Sequence, residues 1–172
     1  MPSPFWDFSI AVYGTDAVAD ECLALQDEFG LDVNLLLLCA FVGARHGVAL
    51  TADDIVSVRA EVEPWHKGIV STLRDARRAL KPVGSRDTDA GKAAAELRTR
   101  VKAAELESER IEQAMLEQWA GSRLASRQRG EPATAVPANL QALLAAYGIA
   151  PERVTAVYAL RHLIAAALAR AN

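Results

Sequence analysis

Aromatic residues are scarce in this chain, at 6% of its 172 positions, and Cys, His and Met are scarcer still at two, three and two. Two cysteines cannot make a disulfide scaffold, and no C-x-x-C pair offers a redox or zinc motif. Cys22 and Cys39 sit inside apolar helical patterns and are expected to be reduced core thiols. Seven prolines and ten glycines are too few for a fibre or a low-complexity chain. A formal charge of -3 excludes a uniformly basic nucleic-acid binder. No hydrophobic run is long enough to cross a membrane: Leu35–Val42 is short, and Val154–Ala169 is broken by Arg161 and His162. The N-terminal stretch has no basic segment and carries Asp7 and Asp16, so no targeting peptide is expected. These absences together imply a cytoplasmic protein.

What remains is 51% apolar and 24% charged, enough for a substantial core in one domain. Its apolar residues recur with helical spacing almost throughout. Ser3-Pro4 predicts a short helix to Tyr13, stopped by Gly14. Phe5, Phe8 and Val12 lie on one side of it, and Trp6, Ile10 and Tyr13 on the other. Val18, Cys22, Leu25 and Phe29 make the stripe of a second helix that ends at Gly30. Asp32 caps a third, Val33 to His46, whose run Leu35–Val42 has no polar face and must be surrounded. Asn34 stands in its first turn, where an amide can satisfy a free backbone group.

Thr51 and Asp54 resemble a capping box. The stripe that follows is Ile55, Val58, Val62, Trp65, Ile69, Leu73, Ala76 and Leu80, and it keeps its phase across Pro64. A kink or two nearly continuous helices are therefore expected there, and no long loop. Lys81–Gly91 has loop composition. A long helix follows over Lys92–Trp119, with a heptad-spaced seam of Ala90, Ala94, Leu97, Val101, Ala104, Ser108, Ile111, Met115 and Gln118. Gly121–Ala138 reads as a linker. Two more helices are expected, one from Pro137-Ala138-Asn139 to Tyr147 and one from Pro151 to about Arg170.

Chemistry-bearing motifs are few. Glu63-Pro64-Trp65-His66 is a single Glu-x-x-His, where a di-iron bundle needs two. Asp16-x-x-x-Asp20 has the spacing of a magnesium–diphosphate motif, but Asp53-Asp54 is a poor second half and better explained by a helix start. Glu105, Glu109 and Glu112 form a carboxylate row expected to be a solvated face. No nucleophile elbow, phosphate loop or H-E-x-x-H zinc motif is present. No catalytic residue, metal ligand or cofactor is assigned.

The charge is segregated. Residues 1–60 carry nine acids and two bases, whereas residues 67–102 carry ten bases and four acids. Arg74, Arg77, Arg78 and Lys81 share one helix face, suited to an acidic partner or to phosphate. No aromatic interleaves them, which argues against nucleic acid.

The run Phe5-Trp6-Asp7-Phe8-Ser9 with Tyr13, then Cys22-Leu23 to Gly30, then Asp32-Val33-Asn34-Leu35-Leu36-Leu37, resembles an uncharacterised family of small proteobacterial all-helical proteins. Trp65, Leu73-Arg74, Arg77-Arg78, Leu80-Lys81, Glu105-Leu106 and Glu109-Arg110 extend the resemblance over most of residues 4–119. It implies a bacterial cytoplasmic helical protein and supplies no activity.

The expectation is an all-α, single-domain bundle of about six or seven helices with a long antiparallel hairpin from residues 52–80 and 92–119. Residues 1–120 would form the core around helix 33–46, with 121–138 as linker and 139–172 as a helical pair packing back. The functional expectation is a non-enzymatic protein–protein interaction or regulatory protein, with a protein partner or a second copy as a homodimer. Its candidate binding residues are Trp6, Asn34, Trp65, His66, Arg74, Arg77, Arg78 and Lys81. The alternatives are a small-molecule binder or enzyme with an interhelical pocket, and a nucleic-acid-binding accessory protein.

Overall fold

The computed structural model describes residues 3–150 and 160–171, the Asp16 side chain excepted. Every regular element among the described residues is helical: α1 (Pro4–Tyr13), α2 (Asp16–Phe29), α3 (Val33–Phe41), α4 (Ala52–Trp65), α5 (Ser71–Gly84), α6 (Asp89–Leu124), α7 (Pro132–Ala146) and α8 (Arg161–Leu168). Two π-helical turns, Val42–His46 and His66–Val70, continue α3 and α4. No described helix is long and apolar enough to cross a membrane. The chain forms two compact units, residues 1–61 with 114–172, and residues 62–113.

Local chemistry sets most helix ends in the first unit. The Ser3 hydroxyl accepts the Trp6 N–H at 3.0 Å, and Asp32 accepts the Asn34 N–H at 2.8 Å. Thr51 and Asp54 cap α4 reciprocally, each side chain accepting the other's backbone N–H. Asp54 also pairs with Arg127 at 3.1 Å. Burial opposes its ionisation, but the Thr51 hydrogen bonds and Arg127 outweigh it and hold the carboxyl below its usual range.

In α3 every residue from Asn34 to Phe41 is buried. Phe41 at its end receives Phe5 and Phe8 of α1, with ring centroids 5.2 and 5.3 Å away. α1 thus buries Phe5, Phe8 and Val12 and leaves Ile10 55% exposed on its other face. Cys22 and Cys39 are free, buried thiols, and burial pushes both up to about 12. α7 packs on α3 and its π-helical turn so closely that a Cβ at Gly43 would lie 2.7 Å from the Val136 backbone.

A buried amide ties these elements together. Asn139 of α7 is fully buried; its carbonyl accepts the Leu50 N–H at 2.7 Å, and its NH2 donates to Cys39 O at 3.2 Å and Val48 O at 2.9 Å. Glu21 of α2 caps α8. Its carboxylate accepts the N–H groups of His162 and Leu163 and lies 2.8 Å from His162 Nδ1.

Several boundaries differ from the sequence pattern. α5 continues through Pro82 to Gly84, and α6 begins at Asp89 because Thr88 caps it by accepting the Gly91 N–H at 3.0 Å. The expected loop over 81–91 therefore shrinks to a turn. α6 runs on to Leu124, and α7 begins at Pro132, with Pro137 inside it. The helix expected from Pro151 is seen from Arg161 onward, residues 151–159 lying outside the described part.

Replacing Asn139 with Ala leaves the buried Leu50 N–H without its acceptor and takes a donor from the Val48 and Cys39 carbonyls, of which Cys39 O keeps the Val42 N–H. The expected cost is about 2–4 kcal/mol in denaturant unfolding. A loss under about 0.5 kcal/mol would show that the amide is dispensable.

Candidate functional site

The second unit is an antiparallel hairpin. The end of α4, the His66–Val70 turn and α5 run one way, and α6 returns to Gln113. Its register starts at Pro64, which lacks an N–H and crowds the preceding turn. The π-helical turn that follows is closed by the Ser71 N–H donating to His66 O. A π turn holds one residue more than an α turn, so the inward stripe moves by one position. Val70 is buried and Ile69 is 40% exposed, where the stripe in the sequence places Ile69 inward. The same step turns Arg74 and Arg77 toward α6.

α6 answers with acid. Arg74 Nε donates to Glu105 at 3.3 Å and its Nη2 to Glu109 at 2.9 Å. Arg77 donates to both oxygens of Glu105, a fork-like pairing. Nearer the start of the hairpin, His66 Nδ1 lies 3.0 Å from Glu112, and Trp65 Nε1 donates to Ser108 O at 3.0 Å. The row expected to be solvated is therefore the seam: Glu105 and Glu112 are buried. Leu97 and Ile111, placed in the seam by heptad spacing, are 42% and 41% exposed. The physical reason is electrostatic: two inward guanidiniums need carboxylates opposite, and an apolar seam would leave them unpaired.

Burial resists ionisation of Glu105, but the hydrogen bonds and charges of Arg77 and Arg74 prevail and lower its pKa. Glu109 goes the other way. Burial raises it, Arg74 offsets only part of the rise, and the charges of Glu105 and Glu112 add to it. One carboxylate is thus firmly anionic while its neighbour takes a proton more readily.

Of the eight candidate residues, Trp65, His66, Arg74 and Arg77 meet in this seam. Arg78 and Lys81 are exposed on α5. Trp6 and Asn34 belong to the other unit, Trp6 half-buried on α1 and Asn34 buried at the start of α3. Glu63, the carboxylate of the Glu-x-x-His, pairs with Lys67 along its own helix. Glu105, Glu109 and Glu112 belong with the site, and their step of four and three alongside Arg74 and Arg77 was the signal for them.

The pH dependence follows from Glu105. Its pKa is lowered by folding, so its contribution is present above the unfolded value of about 4.3 and is lost as pH falls through the folded value. Glu105→Gln should cost about 1–3 kcal/mol at neutral pH, because two guanidiniums lose the negative charge they share and the fork-like pairing loses one of its two acceptor oxygens. It should also flatten the acid limb of denaturant midpoint against pH. An unchanged acid limb in that variant would contradict the assignment.

No curated protein and no solved structure matches the chain. Residues 4–116 match the model of a family described as protein of unknown function, DUF2390. This span covers α1 through most of α6, the hairpin included, and more than half of the chain. The chain belongs to that family.

Proposed function

We propose that the chain is a non-enzymatic protein–protein interaction or regulatory protein whose docking arm is the α5–α6 hairpin. One observation carries the reading: α5 has no fully buried side chain. Two helices that bury so little apolar surface gain little from each other, since most helical stability comes from packing an apolar face. Leu73, Leu80 and Val83 of α5 stay half-buried, and Leu97 of α6 stays exposed. A partner laid along the arm completes their burial.

Charge gives the sign of that partner. Arg74 and Arg77 are spent on Glu105 and Glu109, so the contact falls to the exposed Lys81, Arg86 and Lys92. Residues 67–102 carry ten bases against four acids, which suits an acidic protein surface. The acidic first third of a second copy has that charge, and a homodimer is one form of this reading. The buried, reduced thiols fit work in the cytoplasm.

The test is affinity capture from the native cytoplasm, with mass measured in parallel, for the wild type and for the variant K81E/R86E/K92E. These three positions are exposed, so helical content should not change. The reading expects the variant to lose the captured partner or the self-association by about tenfold or more. Unchanged partners and unchanged oligomeric state would refute it. Retention on RNA or DNA with a steep salt dependence, lost in the variant, would replace it with nucleic-acid binding.

A further inference from the structure

The first unit contains a cleft of about 250 Å³, with Phe41, Val48 and Leu124 among its apolar walls and His46, Arg129 and Glu117 as its polar groups. At about 30 Å³ per water, that is room for roughly eight non-hydrogen atoms, enough for a ring whose charged end sits at the mouth.

The polar groups are set there by the fold. The π-helical turn after α3 ends at Gly47, whose φ of 62° is left-handed. Gly47 O accepts the Gly130 N–H at 2.7 Å, and a Cβ at position 47 would strike the Gly130 carbonyl oxygen. A second clamp lies two to three residues back. Arg127 pairs with Asp54 at 3.1 Å and donates to Ala49 O at 3.3 Å. Arg129 sits between these clamps on a segment held at both ends, and its charge is felt at His46. The Glu117 carboxylate is already taken by the N-terminus of α1, accepting from the Ser3 hydroxyl at 2.7 Å and the Phe5 N–H at 3.2 Å. Arg129 itself has no ion pair among the described residues. An exposed guanidinium without an ion pair, carried on a backbone segment held at both ends and beside an imidazole at the mouth of an apolar cleft, is an arrangement for an anion with an apolar body.

We propose that this cleft binds a small organic oxyanion, a carboxylate or phosphate monoester on a single-ring body, with Arg129 holding the anion and Phe41, Val48 and Leu124 the ring. The proposal is independent of the docking arm.

Calorimetric titration of the full chain tests it with four probes: phenylacetate, phenyl phosphate, benzyl alcohol and inorganic phosphate. At least one of the two ring oxyanions should saturate the protein, and the tighter of them identifies the headgroup. Benzyl alcohol lacks the anion and inorganic phosphate lacks the ring, so each should bind at least about tenfold more weakly. Arg129→Gln should weaken the ring oxyanion by about tenfold or more with an unchanged thermal midpoint. Ala125→Trp, at an exposed cleft position, should abolish binding by filling the space. No saturable binding at about 10 mM probe, equal binding of benzyl alcohol, or binding unchanged in either variant would overturn the proposal.

Discussion

One extra residue in the turn His66–Val70 sets the character of the hairpin. Each residue advances an α-helix by about 100°, so a single insertion turns everything after it by that angle. The apolar stripe Ile55, Val58, Val62 thereby passes to Val70, and Arg74 and Arg77 arrive on the inward face of α5. Glu105, Glu109 and Glu112 on α6 follow from that rotation. The two helices are held by charge where most helix pairs are held by leucine.

That exchange has consequences. Half-buried ion pairs fix register and orientation but return less net stability than packed apolar groups. Arg74 and Arg77 are removed from the surface, and the apolar residues they displace, Ile69, Leu97 and Ile111, face outward. The hairpin is therefore charged along its seam and partly apolar on its surface, whereas the other unit rests on the buried run Asn34–Phe41 of α3 and the Asn139 amide.

Features whose causes are local could be read from the sequence. Ser3, Asp32 and the Thr51/Asp54 pair cap helices as their spacing implies, and the run Leu35–Val42 forms a helix without a solvent face. The uninterrupted passage across Pro64 was also legible. Its π geometry was not, because a stripe continued at α-helical spacing gives an equally good apolar face. That one-residue error places Arg74 and Arg77 outside and so hides the partners of the glutamates, while heptad spacing on α6 separately puts Leu97 and Ile111 in the seam. Thr88 was hidden within a stretch of loop composition although it is the cap of α6. The roles of Asn139, Glu21 and Arg129 depend on partners distant in sequence, and no local pattern marks them.

The central claim is that ionic coupling across α5 and α6 holds the hairpin. A double-mutant cycle on Arg77 and Glu105 measures it, with Arg77→Ala, Glu105→Ala and the pair compared in denaturant unfolding at neutral pH. The account predicts a coupling of about 1–3 kcal/mol that shrinks when Glu105 is protonated in acid. Additive effects, with a coupling near zero at both pH values, would contradict it.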